Sequence, residues 1–341
     1  MVIIVNEVKE DDWKEFLENY DEALIYHTPE WRNFLKTVFG YKPYYLFAID
    51  ENDKILGMLP LMHIKSKIFP ARLSCLPFAH ICGYIGSKKL KRALLQNAVK
   101  LYNNLDANYL EIRDYANGRK FKIFNTFSTY VLELSSNPEE VWRKLDKGSV
   151  RWAIRKAYKM GVKVEVAKDM NDLTEFYEMN CRTKKEIGVP CHSFKFFKEL
   201  FKNLGDFAKL YIARHGGEAI GGGIMLYYKN TVIYGYGAAD PKSLKLYPYN
   251  AFIWKAIEDA CLGGYRYFDF GRVSYEDAGL INFKKKWGTV EKKLYYSIYP
   301  ENRRFFMENR NLMHHLGAKV IRRMPMPFYK KFSDTVFKHL G

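Results

Sequence analysis

The sequence Leu210-Tyr-Ile-Ala-Arg214 is followed by His-Gly-Gly-Glu and then by Ala219-Ile-Gly-Gly-Gly-Ile-Met-Leu226. Two apolar runs joined by a short polar turn are typical of a β-hairpin. The same pattern occurs roughly 160 residues earlier, where Tyr45-Leu-Phe-Ala-Ile-Asp50 leads through Glu-Asn-Asp-Lys into Ile55-Leu-Gly-Met-Leu-Pro-Leu-Met62. The chain therefore contains an internal repeat.

Both copies of the repeat continue in the same order. Each hairpin is followed by an apolar strand, a helix with apolar residues at helical spacing, and a closing strand. These elements are predicted at 76–85, 90–102 and 108–113 in the first copy, and at 232–239, 251–262 and 266–271 in the second. Two helices precede each copy, at 10–18 and 30–38 and at 173–183 and 193–202. Thr28-Pro29 and Asn171-Asp172 are the predicted helix starts.

This order predicts the α/β (α+β) class, with a mixed, mostly antiparallel sheet flanked by helices in each of two tandem domains. A length of 341 residues suits two cores better than one. We predict a first domain at 1–137, a basic inter-domain helix at 138–163, a second domain at 164–300 and basic amphipathic C-terminal helices at 301–341.

The composition is that of a globular protein, with 48% hydrophobic and 27% charged residues. The sequence has no apolar run long enough for a membrane span or a signal-peptide core, so we expect a cytoplasmic protein. The five cysteines include no Cys-x-x-Cys pair and are expected to be reduced core thiols. No metal-ligand spacing is present, and we expect no metal and no cofactor.

The positive charge is concentrated in two segments. Residues 141–163 hold eight Lys+Arg against one Asp+Glu, and residues 283–341 hold fourteen against four. The net charges of these two segments, +7 and +10, add up to the formal net charge of the chain, +17. Clustered cations indicate an anionic partner such as nucleic acid, a phosphorylated substrate or an acidic membrane face. Solubility is the simpler alternative explanation for these residues.

Two motifs in the second half carry a family resemblance. They are Phe268-Asp-Phe-Gly-Arg-Val-Ser274 followed after eight residues by Phe283-Lys-Lys-Lys-Trp-Gly288, and Arg151-Trp-Ala-Ile-Arg-Lys-Ala157 followed by Gly161-Val162. With the duplicated layout, they resemble the Fem-type (FemAB-like) aminoacyl/acyl transferases, which have tandem acetyltransferase-like (GNAT-like) domains. The resemblance implies an acyltransferase of EC class 2.3. It would transfer an aminoacyl or acyl group to an amine of a cell-envelope precursor, such as a peptidoglycan-like peptide or a polysaccharide.

The resemblance also implies where the site lies. In this fold the donor occupies the opening where the sheet splays, beside the helix after the central strand. Lys284 is the candidate for stabilising the developing charge or holding the acyl ester, and Asp269 is the second predicted catalytic residue. The predicted substrate-binding residues are Arg151, Arg155, Lys159, Tyr236, Asp240, Tyr249, Asn250, Arg272, Ser274, Phe283 and Trp287. The simpler alternatives are a solvated lysine at Lys284, an ion pair between Asp269 and Arg272, and a solvated basic helix.

The donor is either aminoacyl-tRNA or acyl-CoA. A CoA-binding loop normally supplies a Gly-rich turn to cradle the pyrophosphate, but Ser243-Leu-Lys-Leu-Tyr-Pro-Tyr249 contains no glycine. This difference favours aminoacyl-tRNA. One alternative function is an acyl-CoA-dependent N-acetyltransferase acting on an amino sugar. Another is a non-catalytic nucleic-acid-binding protein.

The C-terminal segment mixes aromatic and aliphatic residues with Lys and Arg at amphipathic spacing, from Val320 to Leu340. Such a segment suits either peripheral contact with the inner face of an anionic membrane or packing on the rest of the protein. Membrane contact would fit a lipid-linked or phosphorylated acceptor.

Overall fold

The computed structural model describes residues 2–116, 118, 120–301 and 310–340. The chain forms two compact units. Unit 1 comprises Met1–Thr126, Leu294–Met313 and Thr335–Gly341, and unit 2 comprises Phe127–Lys293 and His314–Asp334.

Unit 1 contains short strands and three well-formed helices among its described residues. The helices are α1 (Glu10–Glu18), α2 (Pro29–Phe39) and α3 (Lys91–Asn103). The strands are β1 (Ile3–Val5), β2 (Lys42–Pro43), β3 (Leu46–Ile49), β4 (Ile55–Leu59), β5 (Met62–Ile64), β6 (Arg72–Ser74), β7 (Ile85–Gly86) and β8 (Tyr109–Ile112). One antiparallel sheet has the order β1-β3-β4-β7, and a second group has the order β8-β6-β5-β2 with β6 parallel to β8.

Unit 2 is built on a longer sheet. Its strands are β9 (Lys122–Glu133, from residue 127 onward), β10 (Lys163–Val166), β11 (Ala208–His215), β12 (Glu218–Tyr228), β13 (Thr231–Ala239) and β14 (Tyr267–Ser274), and β15 (Val290–Tyr299) starts in this unit. The order is β10-β11-β12-β13-β14-β9, in which only the β13 and β14 pair is parallel. The predicted mixed, mostly antiparallel sheet is confirmed.

The helices of unit 2 pack on both faces of this sheet. They are α4 (Pro138–Lys144), α5 (Trp152–Lys159), α6 (Met170–Ile187), α7 (Phe194–Leu204), α8 (Pro248–Leu262) and α9 (Ala278–Lys285). Near the C-terminus follow α10 (Arg310–Arg323) and α11 (Met326–Leu340), whose residues 314–334 belong to unit 2.

Most predicted elements agree with the structure, but the predicted strand at 76–85 is wrong. The range is irregular up to Ile85, where the two-residue β7 begins, and β6 ends before it at Ser74. Pro77 has no N–H to donate to a ladder, and Phe78 has a left-handed backbone with φ of 64°. The Arg113 guanidinium instead donates hydrogen bonds to the carbonyls of Leu76 and Ala79 in this segment.

The structure also tests the two predicted helix starts. Thr28 caps α2 as predicted, accepting from Trp31 N–H at 3.3 Å. The cap of α6 is Asp169, whose carboxylate accepts from the N–H groups of Asn171 and Asp172, so the predicted start two residues later is wrong.

The basic segment 138–163 is not one continuous helix. A π turn at Lys147–Arg151 separates α4 from α5. The first helix ends before Leu145, and the Asp146 carboxylate accepts the Ser149 N–H and caps the start of the π turn. The segment lies within unit 2, where Val141, Ile154 and Ala157 are buried in the core.

Three consecutive glycines in β12 let helices approach both faces of the sheet. A Cβ on Gly221 would lie 2.7 Å from Pro248 of α8, and a Cβ on Gly222 would lie 2.8 Å from the Tyr211 carbonyl and 3.2 Å from Phe176 of α6. Because side chains alternate along a strand, Gly221 and Gly222 face opposite helices. The start of α8 is therefore fixed against β12.

Replacing Gly222 by Ala should destabilise the protein. The new methyl group would overlap backbone that cannot move freely, so we expect the free energy of unfolding to fall by about 1–3 kcal/mol. Denaturant titration measures this change. Gly317→Ala is the control, because a Cβ there meets nothing within 4 Å and alanine favours a helix. Equal stability of Gly222→Ala and wild type would contradict this packing.

Candidate active site

The sheet of unit 2 splits between its two parallel strands. Strands β13 and β14 pair only from Thr231 opposite Tyr267 to Ile233 opposite Asp269. Beyond that point β13 stays with β12 as far as Ala239, and β14 pairs with β9 as far as Ser274. The two strands therefore diverge beyond Ile233 and Asp269 and leave an opening between them, which is a common position for a ligand site in a sheet.

A bulge in β14 shapes one side of the opening. The register against β9 shifts between Asp269 and Arg272, and Gly271 has a φ of 72°, a conformation that favours glycine. The buried Asp269 carboxylate accepts hydrogen bonds from Gly271 N–H at 2.8 Å and from the Thr129 hydroxyl. These bonds hold the bulge in place.

Lys284 lies under the bulge. Its ammonium donates to the Gly271 carbonyl at 2.6 Å and to the Arg272 carbonyl at 3.2 Å. The side chain is only 3% exposed, whereas Lys285 and Lys286 are exposed. Burial lowers the pKa of Lys284 to about 8, although the charges of Asp269 and Asp277 oppose this shift. The interpretation of Lys284 as a solvated lysine is therefore wrong.

The predicted residues around α8 fall into two groups. Tyr249 and Asn250 are in the first turn of α8, and burial raises the pKa of Tyr249 to about 12. Asp240 directly follows β13 and accepts from the Ser243 hydroxyl at 3.1 Å. Tyr236 packs instead on the α7 side, with its ring centroid 5.4 Å from that of Phe196. The structure therefore does not bring Tyr236 together with the residues of α8.

Two backbone amides of the loop before α8 form hydrogen bonds within the loop. Residues Pro241–Leu246 form a 3-10 helix in which Ser243 N–H donates to Asp240 and Tyr247 N–H donates to Leu244. Pro248 has no N–H group. The N–H groups of Ser243 and Tyr247 are thus bonded within the turn, whereas the first turn of α8, with Tyr249 and Asn250, has no side-chain cap.

The predicted basic stripe is divided by the π turn. Arg151 is half-buried, and its Nε has no hydrogen-bond partner among the described residues. The Arg155 guanidinium lies 5.3 Å from the ring centroid of Trp142, and Lys159 is exposed near the end of α5. Trp152 is 49% exposed and meets the Tyr247 ring edge-on at 5.2 Å, which places the start of α5 beside the start of α8.

The remaining predicted residues surround Lys284. Phe283 and the buried Trp287 pack on each other with centroids 6.1 Å apart. The Arg272 guanidinium lies 4.5 Å from the ring centroid of Phe127, and Ser274 accepts the Glu276 N–H at the end of β14.

Sequence reasoning missed three residues at the site. Thr129 lies 140 positions from Asp269, so only strand pairing reveals its contact. Trp152 and Tyr247 were within the segments that were considered, but their contact depends on the left-handed backbone at Tyr247, with φ of 57°.

Two searches of the described residues returned nothing. No cluster of three or more His, Cys, Asp or Glu that could hold a metal ion occurs in residues 2–116, 118, 120–301 and 310–340. Within the same ranges, none of the helices combines the length and the apolar character that crossing a bilayer requires.

Comparison with known proteins agrees with this geometry. Residues 146–285 match the acetyltransferase (GNAT) domain family. The crystal structure of FemX has a TM-score of 0.69 at 15% identity, covering 92% of this chain and 100% of that one. The C-terminal domain of a putative lysylphosphatidylglycerol synthetase from Agrobacterium fabrum has a TM-score of 0.57 at 10% identity, with 92% and 94% covered.

A third similar structure is a tandem GNAT protein from the clavulanic acid biosynthesis pathway. Its TM-score is 0.52 at 11% identity, with 87% of this chain and 98% of that one covered. A search of curated proteins finds no match to the sequence. The match identifies a GNAT-type domain at residues 146–285, and the prediction that the protein is an acyltransferase is confirmed. The solved structures confirm that its fold is the tandem acetyltransferase-like fold of FemX.

Removing the Asp269 carboxylate should loosen the bulge. Asp269→Ala leaves the Gly271 N–H and the Thr129 hydroxyl without this acceptor in a buried setting, so we expect the free energy of unfolding to fall by about 1–3 kcal/mol. Thermal or denaturant unfolding measures the loss. Asp206→Ala removes an exposed carboxylate of the same unit and should leave stability unchanged. A similar stability for both variants would argue against the role of Asp269.

Proposed function

We propose that the protein transfers an aminoacyl group from aminoacyl-tRNA to an amine of a cell-envelope precursor, at the opening between β13 and β14. The observation that carries this proposal is the buried ammonium of Lys284 at the edge of that opening. Burial of a cation is costly, and here the Gly271 and Arg272 carbonyls and the charges of Asp269 and Asp277 offset part of that cost. A cation kept in this position can stabilise the negative charge that acyl transfer forms on the carbonyl oxygen of the donor.

The proposed reaction uses the hydrogens of Lys284 in two ways. An ammonium has three N–H donors, and two of them are used by the Gly271 and Arg272 carbonyls. The third is available to the acyl oxygen of the donor. The acceptor amine attacks the acyl carbon, a C–N bond forms, the ester C–O bond breaks, and the amine proton passes to the departing hydroxyl. Asp269 acts through the bulge, by positioning the two carbonyls that hold Lys284.

Aminoacyl-tRNA is favoured over acyl-CoA because of the turn before α8. The turn contains no glycine, and its Ser243 and Tyr247 amides bond within the turn, so these two donors are not offered to a pyrophosphate. The exposed Trp152 contacts Tyr247 of this turn and suits stacking with a base of a single-stranded RNA end, and the half-buried Arg151 before it adds positive charge for a phosphate. Arg155 and Lys159 extend the same positive surface. We expect the reaction to need neither a metal nor a redox cofactor.

The acceptor is proposed from charge and from the family resemblance. A peptide or polysaccharide precursor carried on a phosphate or a lipid would be attracted by the two basic segments of the chain. Such an acceptor is available at the cytoplasmic face of the membrane, where we place the reaction. The alternative, an acetyltransferase acting on an amino sugar, shares the fold and the opening but requires acyl-CoA. The third possibility, nucleic-acid binding without catalysis, predicts no transfer at all.

Transfer should depend on Lys284 and not on its neighbour. We expect Lys284→Ala to lower the rate of amino-acid transfer by at least about a hundredfold, since it removes a positioned donor to the oxyanion. The measurement follows labelled amino acid from a mixed aminoacyl-tRNA pool into an envelope-precursor extract. Lys285→Ala is the matched control, because that side chain is exposed, and it should keep wild-type activity.

The other outcomes of this assay separate the alternatives. No transfer from tRNA together with consumption of labelled acetyl-CoA would identify the acetyltransferase. Tight, salt-sensitive RNA binding with neither reaction would identify a nucleic-acid-binding protein. Equal activity of Lys284→Ala and Lys285→Ala would remove Lys284 from the mechanism.

The rate should fall at alkaline pH as Lys284 loses its proton. Its pKa of about 8 in the folded protein means that the ammonium predominates below pH 8 and is lost above it. A pH profile of single-turnover transfer should therefore show a descending limb near pH 8. In Lys284→Arg the charge persists, so the limb should move beyond the measured range. An unchanged limb in Lys284→Arg would assign the titration to another group.

A further inference from the structure

The C-terminal helices expose an apolar face in unit 2. Val320 of α10 is 62% exposed, and Phe328 and Phe332 of α11 are 69% and 37% exposed. Phe328 and Phe332 are four residues apart and share one side of their helix. Large exposed apolar side chains grouped within one short segment are unusual on a purely solvated surface. We call Val320, Met324, Phe328 and Phe332, with the cations beside them, the tail face.

The opposite side of the same helices is packed on unit 2. Tyr329 is fully buried and donates to the Val189 carbonyl at 2.8 Å, and the Lys330 ammonium bonds the Glu178 carboxylate. Arg322 donates to the carbonyls of Glu186 and Ile187 at the end of α6. The inward side chains therefore fix the orientation of the helices. Because the helices are fixed in this orientation, the tail face points away from the core of unit 2.

Positive charge surrounds the tail face. Residues 317–334 contain five Lys+Arg and a single acid, Asp334. Arg322 and Lys330 are used in the inward contacts, and Lys319 and Arg323 are exposed. Lys319, Val320, Arg323 and Met324 line an open, shallow depression of about 330 Å³, so two cations and two apolar side chains meet at one place. A phosphate with an adjoining acyl chain has the matching chemistry.

We propose that the tail face docks unit 2 onto an anionic phospholipid surface, with the apolar side chains entering the acyl boundary and the cations binding lipid phosphates. This proposal rests on the proposed function only in that a lipid-linked acceptor would be concentrated there. Aliphatic Val320 and Met324 cannot stack on bases, which disfavours nucleic acid at this face. A second copy of the face would bring like charges together, which disfavours self-association.

Vesicle sedimentation tests the docking without measuring transfer. The full-length protein is mixed with vesicles of phosphatidylcholine alone or of phosphatidylcholine with phosphatidylglycerol. We expect binding to the anionic vesicles that weakens with salt. The double variant Lys319→Glu with Arg323→Glu should lower the partition coefficient by more than about tenfold, since each cation near an anionic surface contributes roughly fivefold. Phe328→Ser with Phe332→Ser should lower it by a similar factor.

Matched controls lie elsewhere on unit 2. Lys198→Glu with Lys202→Glu reverses two exposed cations, also four residues apart, on α7, and Leu262→Ser removes an apolar side chain that is 73% exposed. Both should bind vesicles like wild type. Circular dichroism and the melting temperature establish that each variant is folded. The phenylalanine pair is partly packed, so the charge pair gives the decisive comparison if that variant fails to fold.

Three results would overturn the docking proposal. They are absence of vesicle binding by wild type, equal binding by the charge-reversed tail and the α7 control, and loss of RNA binding in the tail variants without loss of vesicle binding. Each result leaves the transfer assay unaffected. Failure of the transfer reaction, in turn, would not alter vesicle binding, so the two proposals can fail separately.

Discussion

The end of the parallel pairing between β13 and β14 is the constraint on which the rest of unit 2 depends. If the two strands continued side by side, their backbone groups would satisfy each other and no opening would exist. They separate after Ile233 and Asp269, and beyond that point β13 keeps its pairing with β12 and β14 keeps its pairing with β9. The helix α8 is held beside the split by the glycines of β12, which remove the side chains that would keep it away.

The bulge at Gly271 turns this separation into a chemical site. Its two carbonyls converge on one ammonium, and a buried carboxylate holds the bulge from behind. Burial makes the charged form of Lys284 less favourable, while the carbonyls and the nearby acids make it more favourable. Lys284 is therefore charged at neutral pH, but its pKa of about 8 means that a modest rise in pH removes the charge.

The fold could be predicted from the sequence because it occurs twice. Each copy confirmed the other, and the apolar periodicity of β11, β12 and α8 was strong. The prediction of a strand after Pro77 was wrong because hydrogen bonds from the Arg113 side chain take the place of strand pairing there. The periodicity of the sequence does not reveal such side-chain bonds. At the site, the motif identified Lys284 and Asp269, but the burial of Lys284 beside two exposed lysines could be learned only from packing. Thr129 lay beyond any local pattern.

Unit 1 is discontinuous along the chain, and this affects the order in which the protein can fold during synthesis. Residues Ser297–Tyr299, which pair with β8, are translated after the whole stretch from Phe127 to Lys293. The N-terminal unit is therefore made first but completed last, whereas most of unit 2 leaves the ribosome as one uninterrupted stretch. A fragment ending before Leu294 would leave an edge of β8 without this partner, so neither half of the duplication can be isolated simply by cutting the gene at its middle.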